Sequence, residues 1–133
     1  MTRGAGAAGP TPARPPAVDV AAAILVFGGL FGLTQLVVGD FVITGSLPAK
    51  EPIVGVALIL YAASAVLGLA VRIGRFWLPA LNLAGIFAVL YLLAMGRLLH
   101  VGLGLAYAAA FAILLAHHRW FAEVRRAGGR PAA

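Results

Sequence analysis

The sequence predicts an all-α integral membrane protein, a bundle of four transmembrane helices in one domain. Of its 133 residues, 62% are hydrophobic and 11% are charged, whereas soluble domains have about 45–50% apolar and ~25% charged residues. The mean hydropathy is +1.02. Four apolar stretches each approach the length of ~20 residues that crosses a bilayer as a helix. The chain lacks the polar surface of a water-soluble fold, so the bilayer is its expected solvent.

The chain begins with a tail over residues 1–17, followed by helix 1 over residues 20–38. The tail is rich in Gly and Pro and has no apolar periodicity, which predicts a disordered cytoplasmic segment. Asp19 stands at the N-cap of helix 1, where a carboxylate complements the positive end of the helix dipole. Gly28 and Gly32 form a small-xxx-small notch for close helix contact, either within the bundle or in a homodimer.

Helix 2 is predicted over residues 53–71, after a connection at 40–52 that contains turn-forming Gly, Ser and Pro residues. Its many small residues favour a central position in the bundle. Arg72 closes the helix at the negative end of its dipole. A short basic gap, residues 72–75, then separates two helical hairpins.

Helix 3 is predicted over residues 76–95 and helix 4 over residues 98–116, so the transmembrane domain covers residues 18–118. Trp77 falls where an aromatic belt meets the membrane interface. Residues 119–133 form a basic cytoplasmic tail. Its pattern is compatible with a helical continuation that lies in the interface, in which Glu123 could pair with basic residues one turn away.

Basic residues are distributed unequally between the two ends of the predicted helices. One end collects eight arginines (Arg3, Arg14, Arg72, Arg75, Arg119, Arg125, Arg126 and Arg130), and the other has only Lys50 and Arg97. The positive-inside rule then predicts that both termini are cytoplasmic. Because nine of the ten basic residues are Arg and the chain is rich in Ala, Gly and Pro, we expect a GC-rich bacterial genome and a bacterial cytoplasmic membrane.

Two parts of the sequence resemble each other. Tyr-Ala-Ala occurs at 61–63 and again at 107–109, and a basic-aromatic triplet follows each of these helices, at 75–77 and at 119–121. One interpretation is a duplication of two parallel-repeat hairpins, related by an axis along the membrane normal. The alternative is chance similarity between Ala-rich helices.

The sequence predicts no cofactor, no metal site and no enzymatic activity. The chain has no Cys, which excludes thiolate ligands and nucleophiles. His117 and His118 would point about 100° apart on a helix and cannot chelate one ion. All four acids lie outside the predicted helices, and Ser64 has no predicted base, so neither a carboxylate pair nor a catalytic triad is formed. Nucleic acid is not an expected partner, because no basic face carries interleaved aromatic residues.

The candidate functional residues are neutral polar side chains within the apolar stretches. They either join helices or line a neutral polar path: Gln35, Tyr61, Ser64, Asn82, Tyr91 and Tyr107. A second set is predicted to anchor the topology at the interface: Arg72, Arg75, Trp77, Arg119 and Trp120.

In size and helix number the chain is similar to the small multidrug-resistance transporters, which are dimers built around a membrane-embedded Glu in the first helix. Residues 21–36 hold no acid, so that mechanism is not expected. The chain also resembles a broad group of small bacterial four-helix membrane proteins of uncharacterised function. Three segments carry this resemblance: the entry Arg14-Pro15-Pro16, the Arg-x-x-Arg-Phe-Trp gap and the Arg-Trp-Phe-x-x-Val-Arg-Arg exit. That resemblance covers most of residues 14–126 and implies a fold but no activity.

Two functions are consistent with these features. The first is a non-enzymatic accessory or complex-forming membrane subunit. For the chain as a whole, the expected partners are the lipid bilayer and either another membrane protein or a second copy. The alternative is a small transporter or channel, monomeric or dimeric, with a neutral polar path. Convergence of the six candidate side chains on one continuous cavity would favour the transporter.

Overall fold

The structure, a computed structural model, describes residues 12–44, 52–93 and 98–129. This part of the chain is all-α, as predicted, and contains no strand. Its five helices are α1 Pro16–Thr44, α2 Pro52–Arg72, α3 Trp77–Leu93, α4 Leu98–Ala116 and α5 His118–Gly129.

Helix α5 corrects the predicted number of helices, which was four. Residues 118–129 fold as a helix because Trp120 and Phe121 are buried against the bundle and Val124 packs beside them. The His117 carbonyl accepts hydrogen bonds from the amides of Trp120 and Phe121, at 3.0 and 3.4 Å, and so begins α5 directly after α4.

The helix ends differ from the predicted ones by up to six residues. Helix α1 runs to Thr44 instead of residue 38, so the first part of the predicted connection at 40–52 is helical. Helix α1 begins earlier than residue 20, with Pro16 in the first turn, where the missing N–H of proline leaves no helical hydrogen bond unmade. Helix α3 begins at Trp77, one residue later than predicted, and is described as far as Leu93; residues 94 and 95 of its predicted range lie outside the described residues. The predictions that concern residues 1–11, 45–51, 94–97 and 130–133 lie outside the described residues; they include the basic side chains Arg3, Lys50, Arg97 and Arg130.

Three described helical segments are long and apolar enough to cross a membrane: Pro16–Val38, Gly55–Arg72 and Leu98–Ala116, with 23, 18 and 19 residues. The apolar helix α3 has 17 residues. At ~1.5 Å per residue it spans about 25 Å, slightly less than a hydrocarbon core of about 30 Å. By length and composition, three or four of the helices can therefore span a bilayer.

The helices pack as two hairpins, α1 with α2 and α3 with α4, which meet through α1–α4 and α2–α3 contacts. The α1–α2 contact, which we call the α1–α2 seam, depends on glycine. A Cβ atom on Gly29 would lie 2.5 Å from the Tyr61 carbonyl oxygen and 2.7 Å from the Ala65 amide nitrogen. A Cβ atom on Gly68 would lie 2.8 Å from the Ala22 carbonyl oxygen. The backbones approach closely because these side chains are absent.

The small-xxx-small notch of α1 is filled by the protein's own tyrosines. The space where Gly28 lacks a side chain is occupied by Tyr107 of α4, and the corresponding space at Gly32 is occupied by Tyr61 of α2. Two uses were predicted for the notch, helix contact within the bundle and contact in a homodimer. In the structure, the notch makes contacts within the bundle.

A glycine cap ends α2 and begins the α2–α3 turn. The Gly74 amide donates to the Val71 carbonyl at 2.9 Å, and the Arg75 amide donates to the Ala70 carbonyl at 3.0 Å. This pair of bonds is a Schellman motif, which requires a left-handed residue after the helix, and Gly74 has φ +79°. Phe76 follows with φ 56°, a conformation that costs a non-glycine residue about 1–3 kcal/mol.

The two basic-aromatic triplets have different backbones. Residues 75 and 76 lie in the turn before α3, whereas residues 119–121 are helical in α5. The similarity between the two exits therefore does not extend to their local conformation. They nevertheless face each other, because the ring centroids of Trp77 and Phe121 are 6.5 Å apart.

Candidate functional site

Four hydroxyl side chains meet inside the bundle in a group that we call the hydroxyl cluster (Tyr61, Ser64, Tyr91 and Tyr107). The Tyr61 and Tyr91 hydroxyl oxygens are 2.6 Å apart. Ser64 Oγ lies 2.7 Å from the Leu25 carbonyl oxygen and 3.1 Å from the Tyr107 hydroxyl. Since a carbonyl only accepts, Ser64 donates its single proton to Leu25 and accepts from Tyr107. These bonds link α1 to α2, α2 to α3 and α2 to α4.

Aromatic rings occupy the space around these hydroxyls. Phe87 of α3 lies between the tyrosines, with its ring centroid 4.9 Å from Tyr61, 5.0 Å from Tyr107 and 6.0 Å from Tyr91. The Tyr91 and Tyr107 rings are 5.9 Å apart and inclined by 16°. These separations fall within the ~4.5–7 Å range of favourable aromatic pairs. The interior at this level is thus packed with rings.

Helical spacing explains why these residues meet. Tyr61 and Ser64 are three residues apart on α2, and Phe87 and Tyr91 are four apart on α3, so each pair shares one helix face. The glycines at positions 28 and 32 of α1 leave the depressions that Tyr107 and Tyr61 enter.

The hydroxyl cluster has the composition of a packing core. Ser64 and Tyr107 are 0% exposed, and every buried polar side-chain atom in the described part of the chain has a hydrogen-bond partner. The cluster contains no carboxylate or amine, and the imidazole of His100 lies beside Tyr91, with ring centroids 5.9 Å apart and planes inclined by 32°. The arrangement therefore joins α1, α2, α3 and α4 through hydroxyl groups that are already hydrogen-bonded.

The other two candidate residues lie apart from the cluster. Gln35 on α1 and Asn82 on α3 are both exposed on the outer surface of the bundle. The Asn82 side chain makes no hydrogen bond to another residue that the structure describes. Four of the six predicted path residues thus converge, whereas these two amides face outward.

The histidines do not form a metal site in the described ranges, which hold no group of three His, Cys, Asp or Glu side chains that could bind an ion. The Nδ1 atom of His117 donates to the Ile113 carbonyl at 2.8 Å, and that of His118 donates to the Leu115 carbonyl at 3.0 Å. Both rings satisfy carbonyls at the end of α4, as expected for polar residues at a helix C-terminus.

At one end of the bundle, two arginines, Arg14 and Arg72, surround a single carboxylate. Asp19 Oδ1 lies 2.7 Å from Arg14 Nε and 3.2 Å from Arg72 Nε. Arg14 also donates to the Arg72 carbonyl at 3.2 Å. Asp19 is therefore an ion-pair partner as well as an acid in the first turn of α1. The predicted pairing of Glu123 with neighbouring arginines is not formed among the described residues.

At the same end, the α2–α3 turn and α5 enclose a concavity of about 610 Å³, which we call the interfacial pocket. It is lined by aromatic, apolar and basic side chains, among them Arg75, Phe76, Trp77, Phe121, Val124 and Arg125. Trp77 is fixed by its indole N–H, which donates to the Leu114 carbonyl at 2.7 Å. Of the predicted anchors, Arg75 and Trp77 line this pocket, Arg72 pairs with Asp19, Trp120 is buried and Arg119 is exposed.

The α5 residues of this pocket were not predicted as site residues. Phe121, Val124 and Gly128 recur at three- and four-residue spacing along the helix. Residues at this spacing share one face of a helix. The sequence therefore contained a pattern from which an α5 face directed at the bundle could have been predicted.

A second concavity, of about 570 Å³, lies between α1 and α4 and is almost entirely apolar. Its walls include Phe27, Leu30, Phe31, Leu99 and Leu103, and Tyr107 forms part of its floor. Phe27 and Leu30 are among the exposed large apolar residues, so the groove belongs to the outer surface of the bundle.

No protein-family model matches the chain, and neither the curated proteins nor the solved structures include a similar one. What the fold and these sites define is a small all-α protein with three helices long and apolar enough to cross a membrane. A function has to follow from the geometry of the sites.

Proposed function

We propose that this chain is a four-span protein of the bacterial cytoplasmic membrane with both termini in the cytoplasm, and that it acts as a non-enzymatic subunit of a larger membrane complex. The spatial grouping of its charges supports the topology. Arg14 bonds to Arg72, and the pocket joins the α2–α3 turn to α5. The entry, the turn and the exit thus share one end of the bundle, as an even number of crossings requires.

The observation that carries the complex-forming function is the position of Asn82. It lies five residues into α3, about 7.5 Å along the axis from Trp77. With Trp77 in the aromatic belt, the outward amide lies in hydrocarbon, where an amide without a hydrogen bond costs about 4–8 kcal/mol relative to water. A short Asn side chain reaches the interface less readily than Lys or Arg, so a polar group of a neighbouring protein is the expected partner.

Site-specific photo-cross-linking in native membranes tests this function. A cross-linking amino acid at position 86, an exposed site one turn from Asn82 on the same face of α3, leaves the Asn82 amide in place and should capture one specific membrane protein, in the same complex that is recovered by pull-down of the tagged chain. The matched control is position 59, because Ile59 is an exposed apolar residue on a different helix, α2. Cross-links to lipid alone at both positions would contradict a complex-forming role.

The convergence of Tyr61, Ser64, Tyr91 and Tyr107 favours a second candidate, a small transporter or channel for neutral solutes. Against it, the hydroxyls bond to one another and to the Leu25 carbonyl, and Phe87 packs between the rings. Flux of small polar solutes into proteoliposomes separates the two functions: solute entry that Ser64→Ala alters would support the transporter. A cross-link at position 86 only to a second copy of the chain would also favour it.

A further inference from the structure

We propose that the interfacial pocket binds the phosphate headgroup of an anionic phospholipid. The inference rests on the membrane location proposed above, and it does not depend on a protein partner. The pocket volume of about 610 Å³ is in the ~300–1,000 Å³ range of small-ligand sites. Its position beside the ends of α2 and α4 and the start of α3 places it at the level where headgroups lie.

Two guanidinium groups in the pocket wall have no acidic partner among the described residues. Arg75 and Arg125 line the pocket, and among the described residues neither lies within 4.0 Å of a carboxylate oxygen. The nearby acid Asp19 is already paired with Arg14 and Arg72. A guanidinium fork matches the oxygens of a phosphate and binds it through charge-assisted hydrogen bonds.

The pocket walls are held in place by the fold before any ligand arrives. The Schellman motif fixes the α2–α3 turn, and its Gly74 contacts α5 so closely that a Cβ atom would lie 2.6 Å from Val124 Cγ1. Trp77 is bonded to the Leu114 carbonyl. A site with fixed walls binds its ligand with less loss of conformational entropy.

The surface beside the pocket favours a lipid over a free phosphate ion. Ile73, Phe76 and Leu78 are 63%, 61% and 56% exposed, at the α2–α3 turn and the start of α3. Acyl chains of a bound lipid would cover such side chains, whereas a soluble phosphate would leave them bare. Basic pockets beside transmembrane helices commonly bind anionic headgroups in this way.

Native mass spectrometry of the purified full-length protein tests the proposal. The protein is titrated with phosphatidylglycerol and, separately, with phosphatidylcholine, and the number and affinity of retained lipids are measured. The pocket variant is Arg75→Gln with Arg125→Gln, and the control is Arg119→Gln with Arg126→Gln. The control removes the same charge from exposed arginines of α5 that do not line the pocket.

The expected result is one tightly held phosphatidylglycerol, bound at least about tenfold more weakly by the pocket variant and unchanged in the control, as for the loss of hydrogen bonds to a charged group. Equal weakening in both variants would contradict a site, because it would reflect net charge alone. Displacement of the lipid by an equal concentration of glycerol 3-phosphate would contradict the lipid as ligand.

If the pocket variant does not fold, lipid binding by the wild-type protein still tests the proposed site. Equal retention of phosphatidylglycerol and phosphatidylcholine by wild-type protein extracted from membranes would overturn the lipid site and leave the membrane location intact. A chain that does not fractionate with membranes at all would instead overturn the proposed function, and this inference with it.

Discussion

The hydroxyl cluster and the interfacial pocket both combine aromatic rings with hydrogen-bonding groups, yet they satisfy those groups in opposite ways. In the cluster, Ser64 bonds to Leu25 and Tyr107 within the chain. In the pocket, Arg75 and Arg125 have no carboxylate partner among the described residues. Hydrocarbon offers no hydrogen bonds, so groups at that depth must be satisfied internally. At the interface, water and headgroups can supply the missing partners.

The comparison predicts that packing defects in the interior have the largest effect. Gly29→Ala should destabilise the bundle by about 3 kcal/mol, the upper part of the range for overpacking, because the new Cβ would meet the backbone of Tyr61 and Ala65. Gly102→Ala is the matched control, since a Cβ there meets nothing within 4 Å, and it should be neutral or slightly stabilising. Thermal unfolding in one detergent, followed by circular dichroism, measures both; equal stability would contradict the close α1–α2 seam.

At the interfacial end, the largest effect is expected at the glycine cap. Gly74→Ala should cost about 2 kcal/mol, because a left-handed conformation is unfavourable for alanine and the methyl group would press on Val124. Gly128→Ala, in the same pocket but with nothing within 4 Å of its Cβ, should leave the melting temperature almost unchanged. Equal melting temperatures of the two variants would contradict the Schellman cap.

A smaller effect is expected within the hydroxyl cluster. Ser64→Ala should cost about 1 kcal/mol, since side-chain hydrogen bonds between membrane helices average about 0.6 kcal/mol and this residue makes two. Tyr107→Phe removes the donor of one of them, so a double-mutant cycle should show that the two costs are not additive. Additive costs would mean that Ser64 and Tyr107 do not interact.

The smallest effect is expected for the ion pairs at the basic end. Asp19→Asn should cost less than about 0.5 kcal/mol, because exposed ion pairs contribute little, and the Asp19 side chain is 43% exposed. The small difference should shrink further at high salt. A loss that is large and insensitive to salt would show that Asp19 organises the end of the bundle more strongly than its exposure implies.

Hydropathy predicted much of the fold. Apolar stretches fixed the approximate positions of α1 to α4, and the small-residue pattern identified Gly28 and Gly32 as a contact surface. It could not say which side chains would fill that notch, because Tyr61 and Tyr107 come from distant parts of the chain. The sequence does contain a signal for the cap at Gly74, because a glycine shortly after the last helical residue, here Arg72, is common at helix C-termini.

Asn82 shows why the positions of two of the six candidate side chains could not be predicted. It was expected either to join helices or to line a polar path, but α3 is apolar around its whole circumference, so its pattern does not distinguish an inner from an outer face. The buried face proved to be the one with Ala80, Ala84 and Phe87. The Glu123 ion pairs were also expected and are not formed, which agrees with the ~0.3–0.5 kcal/mol that such exposed helical pairs contribute.

Cysteine accessibility tests most directly whether the interior is a closed packing core. The chain has no Cys, so single substitutions can be probed in membranes without background. Ala13→Cys, at the exposed basic end, should react with a charged, membrane-impermeant thiol reagent in inside-out vesicles. Ala62→Cys, exposed on α2 toward lipid, and Ser64→Cys, in the hydroxyl cluster, should both stay unreactive. Reaction of Ser64→Cys at a rate close to that of Ala13→Cys would reveal a water-filled path and contradict the closed core.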